Sequence, residues 1–238
     1  MARVTARGDA AIGAAAAEAA PGPAIGESRW SPVIALLGFL VLNVVVRVWL
    51  PGGSPIRVPW LVPAVEAVLL LALAASDHSS VAARRNWLRP VCLVLVALLV
   101  LAALWATILL VHDLIKGSAL TNSPAKLLAS GGLTWLGNNI AFALLYWLMD
   151  SGGPIARARG APPIDFAFTQ HLSPELAPEG WRPVFLDYLH LGFTNATAFS
   201  PTDVMPLTHR AKFSMLVQST VALALFGLIV ARAVNAFT

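Results

Sequence analysis

The sequence contains few charged residues for its length. Of its 238 residues, 12% are charged and 58% are hydrophobic. Water-soluble domains usually carry about 25% charged residues, so this chain has too little charge to cover a surface that faces water. The apolar residues also occur in blocks without a polar stripe, and a helix that is apolar all round lies either in a deep core or in a membrane. The composition therefore predicts an all-α integral membrane protein.

The motifs of the common enzyme and cofactor-binding classes are absent from the sequence. There is no G-x-S-x-G, no H-E-x-x-H, and no Walker or dinucleotide fingerprint. The single cysteine, Cys92, lies inside an apolar block and excludes an intramolecular disulfide. We therefore expect no enzyme activity, no catalytic residues, no cofactor and no metal. The formal charge of +4 does not indicate nucleic-acid binding, because in a membrane protein the distribution of Lys and Arg matters more than their sum.

Residues 1–30 lack any long apolar run. They are rich in Ala, Gly and Pro, and no hydrophobic region follows Arg3 and Arg7 as a secretory signal peptide would require. Such a composition cannot bury enough apolar surface to offset the entropy of ordering. We predict a disordered N-terminal tail over residues 1–30.

Five apolar blocks are long enough to cross a bilayer. Crossing a hydrocarbon core of about 30 Å takes roughly 17–25 apolar helical residues. The blocks cover residues 32–50, 59–76, 90–111, 132–149 and 213–234. They predict four transmembrane helices in residues 31–150 and a final one in residues 213–238. Glu66 lies within the second block, and an intramembrane charge is a functional candidate because its burial is costly.

A cluster of arginines predicts the orientation in the membrane. Arg84, Arg85 and Arg89 lie between the second and third blocks, and Lys and Arg concentrate in cytoplasmic loops. This places the loop and the N-terminus in the cytoplasm of a cell whose plasma membrane the chain crosses several times. The lipid bilayer is therefore the first expected partner.

A proline-rich stretch follows the fourth block. Residues 151–182 contain five prolines and cannot form one continuous helix. Within them, residues 164–168 alternate in the manner of a very short strand. We predict a soluble loop over residues 151–182.

Residues 183–212 combine apolar and polar residues, and we interpret them as a re-entrant, pore-loop-like segment. A defined, buried turn at membrane depth is expected over residues 194–206, because several of its side chains can bond nearby backbone groups. These are Asn195, Thr197, Ser200, Thr202 and Asp203. Asp203 is expected either to accept backbone N–H bonds or to pair with Arg210 or Lys212. A divalent-ion site is a weaker alternative, because the acidic and histidine residues form no dense ligand motif. Its candidate ligands are Asp187, His190, Asp203 and His209.

The last part of the chain resembles the pore module of two-helix potassium channels. Residues 197–203, Thr-Ala-Phe-Ser-Pro-Thr-Asp, occupy the position of the channel filter and the Asp that follows it. Pro206 occupies the position of the channel's later proline. Residues 132–150 correspond to the outer helix and residues 213–234 to the inner helix. The resemblance implies a homo-oligomer, tetrameric if channel-like, because one pore loop cannot encircle an axis. It also implies pore-loop roles for Thr194, Asn195, Thr197, Phe199, Ser200, Pro201, Thr202 and Asp203.

Residues 130–238 are also similar to a group of uncharacterised bacterial membrane proteins. The shared features are Tyr146-Trp147, Gly152-Gly153-Pro154 and the string F-T-N-A-T-A-F-S-P-T-D at residues 193–203. This resemblance implies a bacterial plasma membrane and carries no activity with it.

Three features depart from the potassium-channel pattern. No glycine occurs from Phe193 through Met215, although filter glycines allow successive carbonyls to face one axis. Pro201 lies inside the filter-like string with its φ fixed. The arginine distribution also predicts that residues 132–149 run from outside to inside, whereas the outer helix of a potassium channel runs from inside to outside. The sequence therefore predicts a degenerate channel-like module, ion-conducting but not potassium-selective, with a non-conducting scaffold or accessory subunit as the alternative.

Overall fold

A computed structural model of the chain describes residues 30–49, 61–75, 85–116, 124–158, 163–197 and 203–237. Most of them are helical, which confirms the all-α prediction. Residues 1–29 of the predicted tail lie outside the described residues. In chain order the elements are α1 (Trp30–Trp49), α2 (Leu61–Ala75), α3 (Arg85–Lys116), α4 (Pro124–Met149), a 3-10 turn (Asp150–Gly152), α5 (Pro154–Ala158), β1 (Phe166–Phe168), α6 (Thr169–Leu172), a 3-10 turn (Pro174–Leu176), α7 (Phe185–Thr197), β2 (Val204–Pro206) and α8 (His209–Phe237).

Two helical stretches among the described residues are long and apolar enough to cross a membrane. They are Pro90–Lys116 in α3 and His209–Ala231 in α8, and Trp30–Val41 and Pro63–Ala72 are shorter apolar stretches. The sequence predicted five spans, and helix α4 is the informative difference. It is 26 residues long, but it contains several polar and small residues, Asn138 and Asn139 among them, which lower its mean hydropathy.

The two long apolar helices expose most of their surface. Only 22% of the most apolar window of each is buried within the protein, whereas a core helix of a soluble protein would be mostly buried. The exposed side chains are large and apolar, including Leu101 and Ile108 on α3 and Phe213 and Phe226 on α8. Contiguous apolar surface of this extent is rare on soluble monomers and marks contact with a membrane or a partner.

Helix α4 forms the centre of the structure. Its second half is almost entirely buried, from Gly137 through Leu148 with Leu145 partly exposed. It packs against α1, α3, α7 and α8. A central helix contacts protein on all sides, so its polar side chains can find partners on its neighbours. Two of them, Asn138 and Asn139, do so: Asn138 Nδ2 donates to Thr107 Oγ1 of α3 over 2.9 Å.

The described part of residues 150–184, called here the cap, covers the C-terminal end of α4. As predicted, it is not a continuous helix: it contains two short helices, two 3-10 turns and strand β1. Strand β1 pairs antiparallel with β2, with Ala167 opposite Met205. The predicted alternation at 164–168 does become a strand, and all three residues of β1 are buried. The rings of Phe166 and Phe168 both pack against Tyr188 of α7.

The third span begins where the sequence predicted it, at Pro90, and extends to Lys116. The helix that contains it is longer: α3 begins at Arg85 and has Pro90 in its second turn. Proline removes one backbone hydrogen bond inside a helix, and this cost falls close to the helix start where few such bonds exist.

Candidate functional site

Residues 185–208, called here the returning segment, begin and end at the same end of the bundle. Near its start, Tyr188 Oη donates to Asp150 Oδ2, directly after α4. At its end, strand β2 pairs with β1, and the amide of Leu207 donates to the carbonyl of Asp165 over 2.8 Å. The chain therefore enters the bundle along α7 and comes back to the level of the cap before α8 begins.

Between these ends, α7 reaches well into the bundle. Asn195 contacts Gln218, which lies nine residues into α8, or about 14 Å along that helix at 1.5 Å per residue. The ring of Phe193 packs edge-on against Trp135 of α4, with a centroid distance of 5.4 Å. Helix α7 itself has 13 residues and a length of about 20 Å, which is too short for a hydrocarbon core of about 30 Å.

The carboxylate of Asp150 organises the end of the bundle. It is fully buried, and its Oδ1 accepts the backbone amides of Asp165 at 2.7 Å and Phe166 at 3.3 Å. Its Oδ2 accepts the hydroxyl of Tyr188. A buried carboxylate is tolerated when several donors satisfy its lone pairs. Asp150 thereby ties α4 to strand β1 and to α7.

A second buried carboxylate, that of Asp165, links the cap to α8. It accepts 2.6 Å hydrogen bonds from Thr208 Oγ1 and from Arg210 Nε and Nη2, and a 3.2 Å bond from the amide of Ser151. Burial raises the pKa of Asp165, but the bonds from Arg210 and Thr208, the Arg210 charge and the Ser151 amide outweigh it and hold the pKa below its ordinary value of 3.8. Asp165 is therefore ionised at neutral pH and paired with Arg210.

The turn after α4 requires unusual backbone conformations. Ser151, Gly152 and Gly153 all have positive φ, at 51°, 78° and 94°. Glycine adopts this region at little cost, whereas serine does so rarely. Arg157 secures the turn, because its Nη1 donates to the carbonyls of Trp147 at 2.7 Å and Asp150 at 2.9 Å. These carbonyls at the helix end would otherwise lack partners.

Deeper in the bundle, Gln218 joins α4, α7 and α8. Its Oε1 accepts the Tyr146 hydroxyl at 2.7 Å and the Asn195 amide at 2.8 Å. Its Nε2 donates to the carbonyl of Gly192 at 3.0 Å and to Asn139 Oδ1 at 3.4 Å. All four side chains of this network are buried, and its polar groups satisfy one another where water is excluded.

Gly192 allows α7 to approach this network closely. A Cβ atom at this position would lie 3.4 Å from both the Asn139 carbonyl oxygen and Gln218 Nε2. The space therefore admits a methyl group in van der Waals contact, and a larger side chain here would push α7 away from α4 and lengthen the hydrogen bond to Gln218. Small residues at helix crossings serve this purpose in membrane proteins.

The predicted pore-loop residues divide between two structural settings. Asn195 belongs to the Gln218 network and also donates to the carbonyl of Met215 at 3.0 Å. Thr194 and Thr197 bond back to carbonyls of their own helix, so their hydroxyls stabilise α7. Phe199, Ser200, Pro201 and Thr202 lie outside the described residues.

Asp203 was expected to accept backbone N–H bonds or to pair with Arg210 or Lys212, and its observed partner is a different residue. Its Oδ2 lies 3.3 Å from His190 Nε2. Arg210 instead binds Asp165, which is buried and offers both carboxylate oxygens to the guanidinium in a planar, bidentate geometry. The expected bonds from backbone N–H groups of the preceding turn involve residues outside the described ranges and stay a prediction. No local pattern in the sequence indicates that Arg210 binds Asp165 and not Asp203.

The other candidates from the sequence are placed as follows. Glu66 is fully buried in α2. No group of three or more His, Cys, Asp or Glu residues that could hold a metal ion occurs in the part of the chain that the structure describes. Of the four ligands considered, only His190 and Asp203 are described as an ion pair.

Sequence reasoning missed the residues that hold the site together. Asp150, Asp165, Tyr188 and Gln218 were not selected, although each is buried and hydrogen-bonded. One signal was available for Gln218: an uncharged but strongly polar residue in the middle of an apolar helix usually bonds to a neighbouring helix. The two aspartates carry no such local signal.

Comparison with known proteins returns no match among protein-family models, curated proteins or solved structures. The functional argument therefore depends on the chain's own geometry. The described part of the site holds two buried carboxylates and an amide network, all engaged with neighbouring groups, and these are the features of a segment fixed in position between helices.

Proposed function

We propose that this chain is a multi-pass membrane protein whose C-terminal half is a degenerate ion-channel-like pore module. The observation that carries the proposal is the returning segment, which enters the bundle between α4 and α8 along a short helix and comes back to the same end. An outer helix, a short inserted helix and an inner helix in this order are the plan of the resemblance noted in the sequence. Non-helical backbone at membrane depth requires such protein cover on its sides.

The five helical spans of the sequence prediction belong to this proposal. Helices α1, α3, α4 and α8 have 20, 32, 26 and 29 residues, and about 20 suffice to cross a bilayer. Helix α2 is described over 15 residues and supplies the fifth span in the proposal. The polar residues of α4 do not oppose a span there, because the central position of this helix shields them from lipid.

The proposed orientation places the N-terminus and the cap in the cytoplasm of a bacterial cell. Arg84, Arg85 and Arg89 precede or begin α3, and the cap carries Arg157 and Arg182. From the cytoplasmic arginine loop, α3 runs outward across the membrane and α4 runs back inward. The cap and the arginine loop then share the cytoplasmic side, as the concentration of basic residues favours.

The module is proposed to conduct monovalent cations in a homo-oligomer, without selecting potassium. The lack of glycine between Phe193 and Met215 prevents the ring of carbonyls that replaces the hydration shell of potassium. Purified protein in liposomes, assayed separately for Na⁺ and K⁺ flux, tests this. Ser200→Trp, within the filter-like string, should abolish flux, whereas Thr220→Trp, exposed on α8, should not.

A non-conducting scaffold or accessory subunit is the alternative, and one observation favours it. The buried networks around Asp150 and Gln218 fix the returning segment to its own helices, as a purely structural element would require. Absence of flux of both ions, from protein that is folded and inserted, would support the scaffold and overturn the pore.

A further inference from the structure

A cavity of about 460 Å³ lies beside the end of α7, between α4 and α8. This volume is within the range of about 300–1,000 Å³ found for ligand sites. It is lined by Leu128, Gly131, Gly132, Trp135, Ala196, Thr197, Leu225, Phe226 and Ile229.

The lining of this cavity is neutral and almost entirely apolar. No charged side chain is among its described lining residues. The hydroxyl of Thr197 is already used in a 2.8 Å bond to the carbonyl of Phe193, and the Trp135 ring is held edge-on by Phe193. A water molecule or polar ligand would find few hydrogen-bond partners among the described lining residues. These residues therefore fit a hydrocarbon occupant.

The cavity opens sideways onto the apolar outer surface of the bundle. Two of its lining residues, Leu128 and Phe226, are also 56% and 62% exposed. Phe226 lies within His209–Ala231, one of the two stretches able to cross a membrane. In the proposed membrane location Phe226 faces lipid, so the molecules next to the cavity opening are those of the bilayer.

We infer that the cavity binds one acyl chain of a bilayer phospholipid, which enters between Leu128 and Phe226 and packs against Trp135. The inference rests on the proposed membrane location. It adds a lipid site beside the last described residues of α7, Ala196 and Thr197. A free fatty acid would offer the same hydrocarbon, but the bilayer presents phospholipid chains at far higher concentration.

Gly132 gives a way to fill the cavity without disturbing its walls. A Cβ atom added at Gly132 would meet no heavy atom within 4 Å, whereas one at the adjacent Gly131 would lie 2.3 Å from Ile229. Gly132 is a lining residue, so Gly132→Leu adds a large apolar side chain at the cavity wall without a clash at its Cβ. Gly227 is exposed on α8, lies outside the lining and also has no neighbour within 4 Å, so Gly227→Leu is a matched control.

The experiment measures tryptophan quenching in liposomes that contain phosphatidylcholine with a dibrominated sn-2 chain. The Trp135 contribution is the difference in quenching between the full chain and its Trp135→Phe variant. We expect this contribution to be present in the wild type and in Gly227→Leu, lost in Gly132→Leu, and reduced in Gly132→Ala. Thermal unfolding of each variant establishes that it is folded, and Gly132→Ala serves as the test if Gly132→Leu does not fold.

The outcomes separate this inference from the proposed function. Protein that fails to float with the liposomes would overturn the membrane proposal itself. Protein that floats but shows no Trp135 quenching, because a second copy or another part of the chain fills the cavity, would overturn the lipid site alone. Equal Trp135 quenching in wild type and in both Gly132 variants would do the same. In a further experiment, dibromostearic acid is added to unbrominated liposomes. If it quenched Trp135 and brominated phospholipid did not, the occupant would be a free fatty acid and the proposed phospholipid chain would be overturned.

Discussion

Arg210 binds Asp165 through two parallel hydrogen bonds of 2.6 Å, Nε to Oδ1 and Nη2 to Oδ2. The carboxylate is fully buried, whereas the guanidinium is 54% exposed. Asp165 immediately precedes strand β1 of the cap, and Arg210 lies in the first turn of α8. The pair therefore fixes the start of the last helix to the cap, which is in turn fixed to α4 through Asp150.

Removing Arg210 should destabilise the protein. Arg210→Ala leaves the buried Asp165 carboxylate with fewer donors, and we expect the free energy of unfolding to fall by about 2 kcal/mol, less than for a fully buried pair because water reaches the guanidinium. Thermal unfolding in detergent provides the measurement. Lys212→Ala is the matched control: it removes the same charge two residues away from an exposed position and should change the midpoint little. Equal effects of the two substitutions would show that the pair has no structural role.

Stability should fall in acid through Asp165. Because the pKa of Asp165 lies below its ordinary value in the folded protein, the unfolded state binds more protons, and stability rises with pH across that range. The contribution is complete above the unfolded value of 3.8 and is lost as the pH falls through the lower folded value. Melting curves between about pH 6 and pH 3 should show this loss in the wild type.

A neutral replacement of Asp165 supplies the comparison for the acid effect. Asp165→Asn should melt lower at neutral pH and lose less on acidification than the wild type does. Glu175→Gln removes an exposed acid of the cap and should retain the wild-type slope. An Asp165→Asn protein with an unchanged pH slope would assign acid sensitivity to other carboxylates.

Gln218 should contribute to stability through its position between three helices. Gln218→Leu leaves the Tyr146 hydroxyl, the Asn195 amide and the Gly192 carbonyl with fewer partners in a buried site, and we expect a loss of about 2 kcal/mol. Tyr146→Phe removes one bond of the same network and should cost about 1 kcal/mol. Thr220→Ala, on the exposed side of α8, is the control. If the Gln218→Leu protein were as stable as the Thr220→Ala protein, the network would make no net contribution to the free energy of unfolding.

The sequence predicted the helices better than it predicted their contacts. The apolar blocks predicted that α1, α3, α4 and α8 exist, since a block of that length forms a helix from local information alone. They did not predict the boundaries, because α3 and α4 begin five and eight residues before their blocks. The strand at Phe166–Phe168 was visible as a short alternation bounded by proline. These features are determined by residues that are close together in the chain, so a sequence pattern is enough to predict them.

The candidate site depends on contacts between distant residues. Tyr188 and Asp150 are 38 residues apart, Arg210 and Asp165 are 45 apart, and Gln218 and Tyr146 are 72 apart. Nothing local distinguishes Asp165 from Asp203 as the partner of Arg210. The choice is made by strand pairing, because β1 and β2 set Asp165 beside Thr208, while Asp203 lies beside His190. Sequence patterns could not resolve this without the fold.

Asp203 should matter less for stability than Asp165. Its ion pair with His190 is 3.3 Å long, and the two side chains are 39% and 60% exposed. Exposed ion pairs contribute about 0–1 kcal/mol, and we expect Asp203→Ala to lower the free energy of unfolding by less than about 1 kcal/mol. Asp165→Ala, measured in the same detergent, should cost clearly more. The reverse order would restore Asp203 as the main anchor of the turn.

The central claim is that the returning segment enters and leaves the bundle on the cytoplasmic side without crossing the membrane. Single cysteines, placed in a Cys92→Ala background, test it by labelling with a membrane-impermeant thiol reagent. Val184 lies directly before the segment and Leu207 is its penultimate residue, and they are 42% and 49% exposed. Glu175 marks the cap, and Lys116, at the exposed end of α3, marks the opposite side.

Inside-out vesicles and intact spheroplasts should give opposite labelling patterns for these positions. We predict that Val184→Cys, Leu207→Cys and Glu175→Cys are labelled in inside-out vesicles and protected in spheroplasts, and that Lys116→Cys behaves in the opposite way. Labelling of Val184→Cys and Leu207→Cys from opposite sides would show that residues 185–208 cross the membrane, and would contradict the pore-module account.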